Sequence, residues 1–276
     1  VFRDKPLAVE VADTADFADL NEAILAVPAD IADDLAGRLL TAGVRVWDVS
    51  GSLRGHPQAV TLAEADADSL LIVLDDPLVN ILAPIARALG GISPLVRFDA
   101  TVLAPVSIKG HAGVKELASQ AGDLLNGRGI TTEIWPQQVA FNVLAADSNL
   151  DGNGQTSRER RVCQGLSRRL PTTRVHVRQL IVPVFYGAVI EIRWRHAAAV
   201  ERAALVAACK PLPAFRLHDQ GDAAGLPSPI GEGVSSDVTW LSRLQLDGDE
   251  GAATLLADPL RAGLVQPLLT FLLHQG

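Results

Sequence analysis

Residues 28–50 read PADIADDLAGRLLTAGVRVWDVS, and the change of period inside this stretch decides the fold class. Over 28–42 the apolar side chains Ile31, Leu35, Leu39 and Leu40 recur on one helical face. Pro28 suits a first helical turn, Asp30, Asp33 and Asp34 sit near the positive N-terminal end, and Gly43 supplies the stop. Residues 44–50 then switch to a strand that ends in a small-residue turn. Working outward, 23–27 (AILAV) and 7–11 (LAVEV) read as short strands before the helix. Downstream, 70–74 (LLIVL) is a further strand, followed by Asp76-Pro77 as cap and first turn. A second helix uses Leu78, Ile81, Leu82, Ile85 and Leu89, and Pro84 should bend it. Strands and helices alternating at these spacings predict a parallel α/β sheet of Rossmann type.

Beyond about residue 92 the pattern changes to α/β of mixed character. A β-run at 95–106 precedes a helix over about 112–126, and NLDGNGQTS (149–157) is a turn-rich loop. Thr156 and Glu159 form a T-x-x-E capping box, opening a helix that turns Val162, Leu166 and Leu170 inward. Long β-runs follow at 173–194 and 237–246, with a Pro/Gly/Ser-rich loop at 220–236 between them. The last helix, 258–274, carries a heavily apolar face and is expected to be buried against a partner surface.

The chain has 276 residues, 48% hydrophobic and 20% charged, with a net charge of −8. Two packed domains are the default at this length. An acidic balance argues against nucleic-acid binding, which needs a surplus of Lys and Arg. Cys163 and Cys209 make no framework or metal spacing, the six histidines show no ligand pairing, and neither a signal peptide nor a membrane span is expected. A cytoplasmic protein without metal, nucleic acid or membrane is the economical reading. No methionine occurs anywhere: either the chain starts downstream of its natural initiator, or methionines are missing from it.

Four segments carry a resemblance. DVSGSLR (48–54) resembles a D-N-S-S-x-F-R turn, and GVKEL (113–117) follows what is left of an S-G-x-G loop. QVAFNVL (138–144) leads into a G-x-T-x-x-E helix start at 154–159, and IVPVFYG (181–187) resembles R-V-P-V-x-x-G-H. In this order they resemble the aspartate-semialdehyde dehydrogenase family along the whole chain from Leu7. The resemblance implies a glyceraldehyde-3-phosphate-dehydrogenase-like fold. In it a Rossmann-type NAD(P)-binding-like domain at 1–78 is completed by the C-terminal helix, 255–276, and a mixed α/β dimerisation domain occupies 79–254. It also implies a homodimer and NADP as cofactor.

The family's chemistry uses a cysteine thiolate as nucleophile. By the N-P-N-C motif that cysteine falls on Val79 of DDPLV. The family's active-site glutamine falls on Ala104 when Ser107 and Gly110 are matched, its general-base histidine on Ala188, and its carboxylate-clamping arginine on Ile181. A valine, two alanines and an isoleucine can neither attack a carbonyl nor move a proton. The cofactor side is altered too. The glycine fingerprint would precede Leu7, a glycine pair falls on Pro28 and Ala29, and Pro267 stands where the family uses asparagine. Arg54 falls on a phosphate-binding arginine and Arg161 on a substrate-contacting lysine, while Ser107 keeps the loop serine. These three make a candidate anion site, against the plainer reading of a turn arginine pairing with Asp48, a solvated helix arginine and a turn serine. Glu159 is explained by the capping box alone, and the arginines between Arg158 and Arg178 read first as a solvated face.

The sequence therefore predicts an aspartate-semialdehyde dehydrogenase-like protein that is catalytically inactive and acts by binding or assembly. The alternative is an NADP-dependent semialdehyde dehydrogenase of amino-acid biosynthesis with altered chemistry, for which Cys163 is the nearby thiol.

Overall fold

A computed structural model describes residues 9–62, 64–218 and 225–274. The chain divides into two compact units at Asp75/Asp76. In the first unit, β1 (Glu22–Leu25), α1 (Ala29–Thr41), β2 (Arg45–Asp48), β3 (Ala59–Thr61) and β4 (Leu71–Val73) follow one another. The strands form a parallel sheet in the order β1-β2-β4-β3. One face of α1 buries Ala32, Leu35, Ala36 and Leu39 in a cluster with Val44, just before β2, and with Val46, Leu71 and Val73 of the strands. Ile31, assigned to that face from its spacing, is 46% exposed. Of the strand expected at 7–11, residues 7 and 8 lie outside the described residues and 9–11 form no strand.

The second unit begins with α2 (Pro77–Gly90), which runs on through Pro84. Its cap, Asp76, and its first-turn Pro77 belong to this helix, and the compact units divide just before them, at 75/76. A six-stranded mixed sheet follows, in the order β6-β5-β7-β10-β9-β8. Its strands are β5 (Leu95–Ala104), β6 (Arg174–Ile181), β7 (Ala188–His196), β8 (Phe215–His218), β9 (Thr239–Asp247) and β10 (Glu250–Ala257). Helices α3 (Gly110–Leu125), α4 (Ser157–Arg169) and α5 (Arg202–Cys209) complete the unit. Alternation along β5 sends Phe98, Ala100, Val102 and Ala104 to a large core shared with α2 and α4.

The run 173–194 is two strands, not one. Gly187, at φ +78°, lies in the turn between them, and β6 and β7 flank β5, parallel and antiparallel to it respectively. The C-terminal helix expected from residue 255 starts later, because 255–257 end β10 in register with β7. After a π-helical turn (Arg261–Val265) comes α6 (Gln266–His274), which groups with the second unit. Gly263 makes this possible: a Cβ there would lie 2.4 Å from the Pro77 carbonyl oxygen, and Asn80 donates to the Gly263 carbonyl at 2.9 Å. Within this single chain Leu268 of the last helix is buried, while Leu269 and Leu273 are exposed.

Candidate functional site

The ends of three strands meet at Ala104. In register it is the partner of Ile181 on β6, and Ala188 on β7 stands one step beyond the Leu103–Val189 pair on its other side. Backbone hydrogen bonds close this end: Val182 N–H donates to Ala104 O at 3.0 Å, and Ile181 exchanges two bonds with Leu144. Ala104, Ile181 and Ala188 are each at most 1% exposed, and Val79 joins them in the same apolar cluster. Val79 occupies the first turn of α2, where Asp76 accepts from Leu78 N–H at 3.0 Å. It fills the space left by Gly165 on α4, where a Cβ would lie 2.7 Å from Val79 Cγ2. Arg158 of α4 grips the capping carboxylate with two bonds, Nε to Oδ2 at 2.9 Å and Nη2 to Oδ1 at 3.2 Å. The two helices are thus joined by carbon at Val79 and by a bidentate ion pair at Asp76. Nothing at Val79, Ala104, Ile181 or Ala188 can supply a nucleophile, a base or a clamp.

Glu159 is consumed by its own fold. Its carboxylate accepts from Thr156 N–H at 2.7 Å and from Gln179 N–H at 2.8 Å, while Thr156 Oγ1 accepts from Glu159 N–H, completing the capping box. A second buried polar pair begins inside the GVKEL segment (113–117). Glu116 and Gln120 stand one helical turn apart on α3. Glu116 accepts from Glu133, Ile134 and Trp135 N–H, and Gln120 Oε1 accepts from Val139 and Ala140 N–H. Together they hold the irregular segment 131–140 in place. Beyond that segment, the hint in the sequence is two polar residues on the same side of α3 as Leu117.

The anion candidates do not share a unit. Arg54 lies in the first, Ser107 and Arg161 in the second. In the first unit the turn after β2 is organised by the buried Asp48 carboxylate, which accepts from the backbone N–H groups of Ser50, Gly51 and Leu53 at 2.9–3.2 Å. Arg54 pairs not with Asp48 but with Asp75, at 3.0 Å, because Asp48 is already filled by the turn; it also donates to Leu74 O at 2.9 Å. Its Nη1 is buried and meets no acceptor among the described residues. The turn amides are taken by Asp48, Arg54 is paired with Asp75 at contact distance, and Pro28 at the start of α1 has no N–H to offer. These residues fit a dinucleotide pyrophosphate poorly. In the second unit Arg161 is exposed on α4. Ser107 sits in a 3-10 turn, where its N–H donates to Phe185 O at 3.2 Å.

Cys163, on α4, is a half-buried free thiol. Burial pushes its pKa up, with the nearby Glu159 charge adding to the rise, and burial alone lifts the Cys209 thiol to about 11. Both are protonated at neutral pH, the unreactive form. Among the described residues no three His, Cys, Asp or Glu side chains gather as a metal site, and no helix is long and apolar enough to cross a membrane.

Residues 82–261 match the family model described as semialdehyde dehydrogenase, dimerisation domain. The chain belongs to the semialdehyde dehydrogenase family. Its relatives carry two kinds of name. A USG-1 protein homolog of Azotobacter vinelandii is 29% identical over 275 residues, 95% of this chain and 81% of the relative. An aspartate-semialdehyde dehydrogenase of Legionella pneumophila is 27% identical over 283 residues, covering 95% and 79%. Among solved structures, a probable aspartate-semialdehyde dehydrogenase from Pseudomonas aeruginosa superposes with a TM-score of 0.87 at 26% identity, over 97% of this chain and 83% of that one. The α/β fold of the semialdehyde dehydrogenase family is therefore present, a parallel sheet beside a mixed one.

Proposed function

We propose that this member of the family lacks the parent reductase activity and acts as a homodimer, through binding or assembly. One observation supports this most directly. The three strand ends and the first turn of α2, onto which the family's glutamine, clamp, base and nucleophile align by motif, present Ala104, Ile181, Ala188 and Val79 as buried apolar members of one large core. A nucleophile is indispensable to a covalent route and a general base contributes roughly 10²–10⁴ in rate, so joint replacement removes the mechanism. The homodimer reading is supported by the match to a dimerisation domain. It is also supported by the sheet face opposite the core, where Leu103, Leu180, Val189 and Trp240 remain only half-buried.

In this reading the first unit is a nucleotide-binding-like domain whose turn at Asp48 serves structure, and NADP is not a working cofactor. The deciding experiment is a spectrophotometric assay of the purified chain with aspartate semialdehyde, phosphate and NADP. No turnover above background is expected, and robust turnover overturns the reading. A thermal-shift series with phosphate and NADPH runs beside it, because a ligand that binds the folded state raises its melting temperature. A clear shift with NADPH would restore the cofactor, and a phosphate shift abolished by Arg54→Ala or Arg161→Ala would restore the anion site. An oxidoreductase using Cys163 instead gains no support, since burial keeps that thiol protonated.

A further inference from the structure

Six asparagines occur in the chain, and two of them, Asn126 and Asn153, stand directly before a glycine. An asparagine carries an electrophile, its side-chain carboxamide carbon, within reach of the next residue's backbone nitrogen. That nitrogen attacks when it has lost its proton and its approach is open, and glycine, with no Cβ, leaves the approach open. Asn21, Asn80, Asn142 and Asn149 precede Glu22, Ile81, Val143 and Leu150, whose side chains crowd the same path.

The fold treats the two Asn-Gly steps differently. Both glycine nitrogens are hydrogen-bonded across a turn, Gly127 N–H to Leu124 O at 3.1 Å and Gly154 N–H to Asp151 O at 2.9 Å. Both glycines have positive φ, +64° and +72°, and both asparagines are exposed. The difference lies in the electrophile. Asn126 is the C-cap of α3, and its Nδ2 donates to Gly122 O at 2.7 Å, which ties the carboxamide back along the helix. The Asn153 carboxamide makes no hydrogen bond among the described residues. Only its backbone N–H is held, by Asp151 Oδ1 at 2.9 Å, so the side chain can turn toward Gly154.

We propose that the Asn153–Gly154 step is a site of spontaneous covalent modification, with water as its co-reactant. Gly154 N gives its proton to hydroxide and bonds to the carboxamide carbon of Asn153, closing a five-membered imide ring. The carbon–nitrogen bond of the carboxamide breaks, its nitrogen takes a proton from water, and ammonia leaves. Water then opens the ring at either carbonyl, leaving an aspartyl or isoaspartyl residue at position 153; nothing is oxidised or reduced. The product sets a new carboxylate close to that of Asp151, which pairs with Arg160 at 2.8 Å. The isoaspartyl form also adds a carbon to the main chain, inside a turn closed by Gly154 N–H to Asp151 O and Asp151 N–H to Gln155 O. That turn delivers Thr156 to the capping box of α4, so the change falls at the helix start. This chemistry needs neither a partner copy nor catalytic activity, and it stands apart from the functional reading above.

The test ages the purified full chain, folded and in urea, at mildly acidic and mildly alkaline pH. Trypsin then places Asn126 and Asn153 on separate peptides, 116–128 and 129–158, and mass spectrometry follows conversion of amide to acid on each. In the folded chain Asn153 should convert at least about fivefold faster than Asn126, the factor that one net hydrogen bond carries. Conversion should be faster at the higher pH, because the attacking nitrogen must lose its proton, and should yield the isoaspartyl form. In urea the two rates should converge, since Gly122 no longer holds Asn126. Asn153→Ser should remove most of the acidic species that ageing generates on ion exchange. Equal rates in the folded chain, faster conversion at Asn126, or a difference that persists unchanged in urea overturns the proposal. So does a folded chain whose Asn153 stays intact while the same residue converts in urea, because the Gly154–Asp151 bond would then guard the site.

Discussion

The turn at Asp48 and the strand ends at Ala104 stand where the family resemblance puts anion binding and catalysis, and they differ in kind. In the first unit the polar groups remain but face one another: three amides donate to Asp48, and Arg54 is paired with Asp75. In the second unit the four aligned positions are apolar and carbon fills the space, from Val79 against Gly165 to Ile181 beside Ala104. A site closed by its own hydrogen bonds becomes costly to strip, because buried donors lose their acceptor. A site closed by apolar packing becomes costly to re-equip, because any polar group restored there is buried without a partner. The two regions should therefore answer mutation in opposite ways.

The largest effect is expected where polarity is returned to the apolar site. Ile181→Arg would place a charge at a position with 0% exposure, and should cost about 4 kcal/mol or more in urea unfolding. Ile181→Val, at about 1 kcal/mol, gives the packing cost alone. Equal midpoints for Ile181→Arg and the parent would show that this end of the sheet is open to water. Next comes the reverse operation in the first unit. Asp48→Ala leaves three amides without their acceptor and should cost about 2–4 kcal/mol, localised by hydrogen exchange to residues 50–53. Protection unchanged there would break the contrast between the two regions.

Both regions show what a sequence can announce. The βαβ beginning was legible from residues 28–50, because a helix period passing into a strand period is a local signal. The capping box at Thr156 and Glu159 was legible for the same reason. The last strand was not: β10 carries the apolar run Leu255–Ala257 between two neighbours, and such a run has no period to separate strand from helix. Nor was the break at 182–187 used, since the partner that separates β6 from β7 is β5, about 80 residues earlier. At the candidate site the four positions the motifs point to, Val79, Ala104, Ile181 and Ala188, are all buried in one large hydrophobic core. What could not be read was where Arg54 turns, because its partner Asp75 is set by the course of β4. Glu116 and Gln120 escaped for a related reason, having backbone amides as partners.

A smaller effect tests how tightly the apolar site is closed. Gly165→Ala pushes a Cβ to within 2.7 Å of Val79 Cγ2 and should cost about 1–3 kcal/mol. Val79→Ala in the same chain removes the offending methyl groups, so the double variant should be more stable than the sum of the two single changes predicts. A coupling of about 1 kcal/mol between them would mark direct contact, and strict additivity would show that α2 and α4 have room to part.

The smallest effect separates two arginines on one helix, three residues apart in sequence. Arg158 holds the Asp76 cap through a largely shielded bidentate pair, its side chain 19% exposed and that of Asp76 12%. Arg158→Ala should cost about 1–2 kcal/mol, since it removes two charge-assisted bonds and leaves a carboxylate beside the α2 terminus. Arg161 is exposed, and Arg161→Ala should change stability by no more than about 0.5 kcal/mol. The pair of values carries information that neither carries alone. If Arg161→Ala were as costly as Arg158→Ala, the exposed guanidinium would have a partner that the isolated chain does not present. Residue 161 would then belong to an interface, and the cost should vanish on dilution below the dimer Kd. If only Arg158 matters, the basic face of α4 divides into one structural arginine facing α2 and a solvated remainder, and the alignment of Arg161 with a substrate-contacting lysine has no physical consequence in this chain.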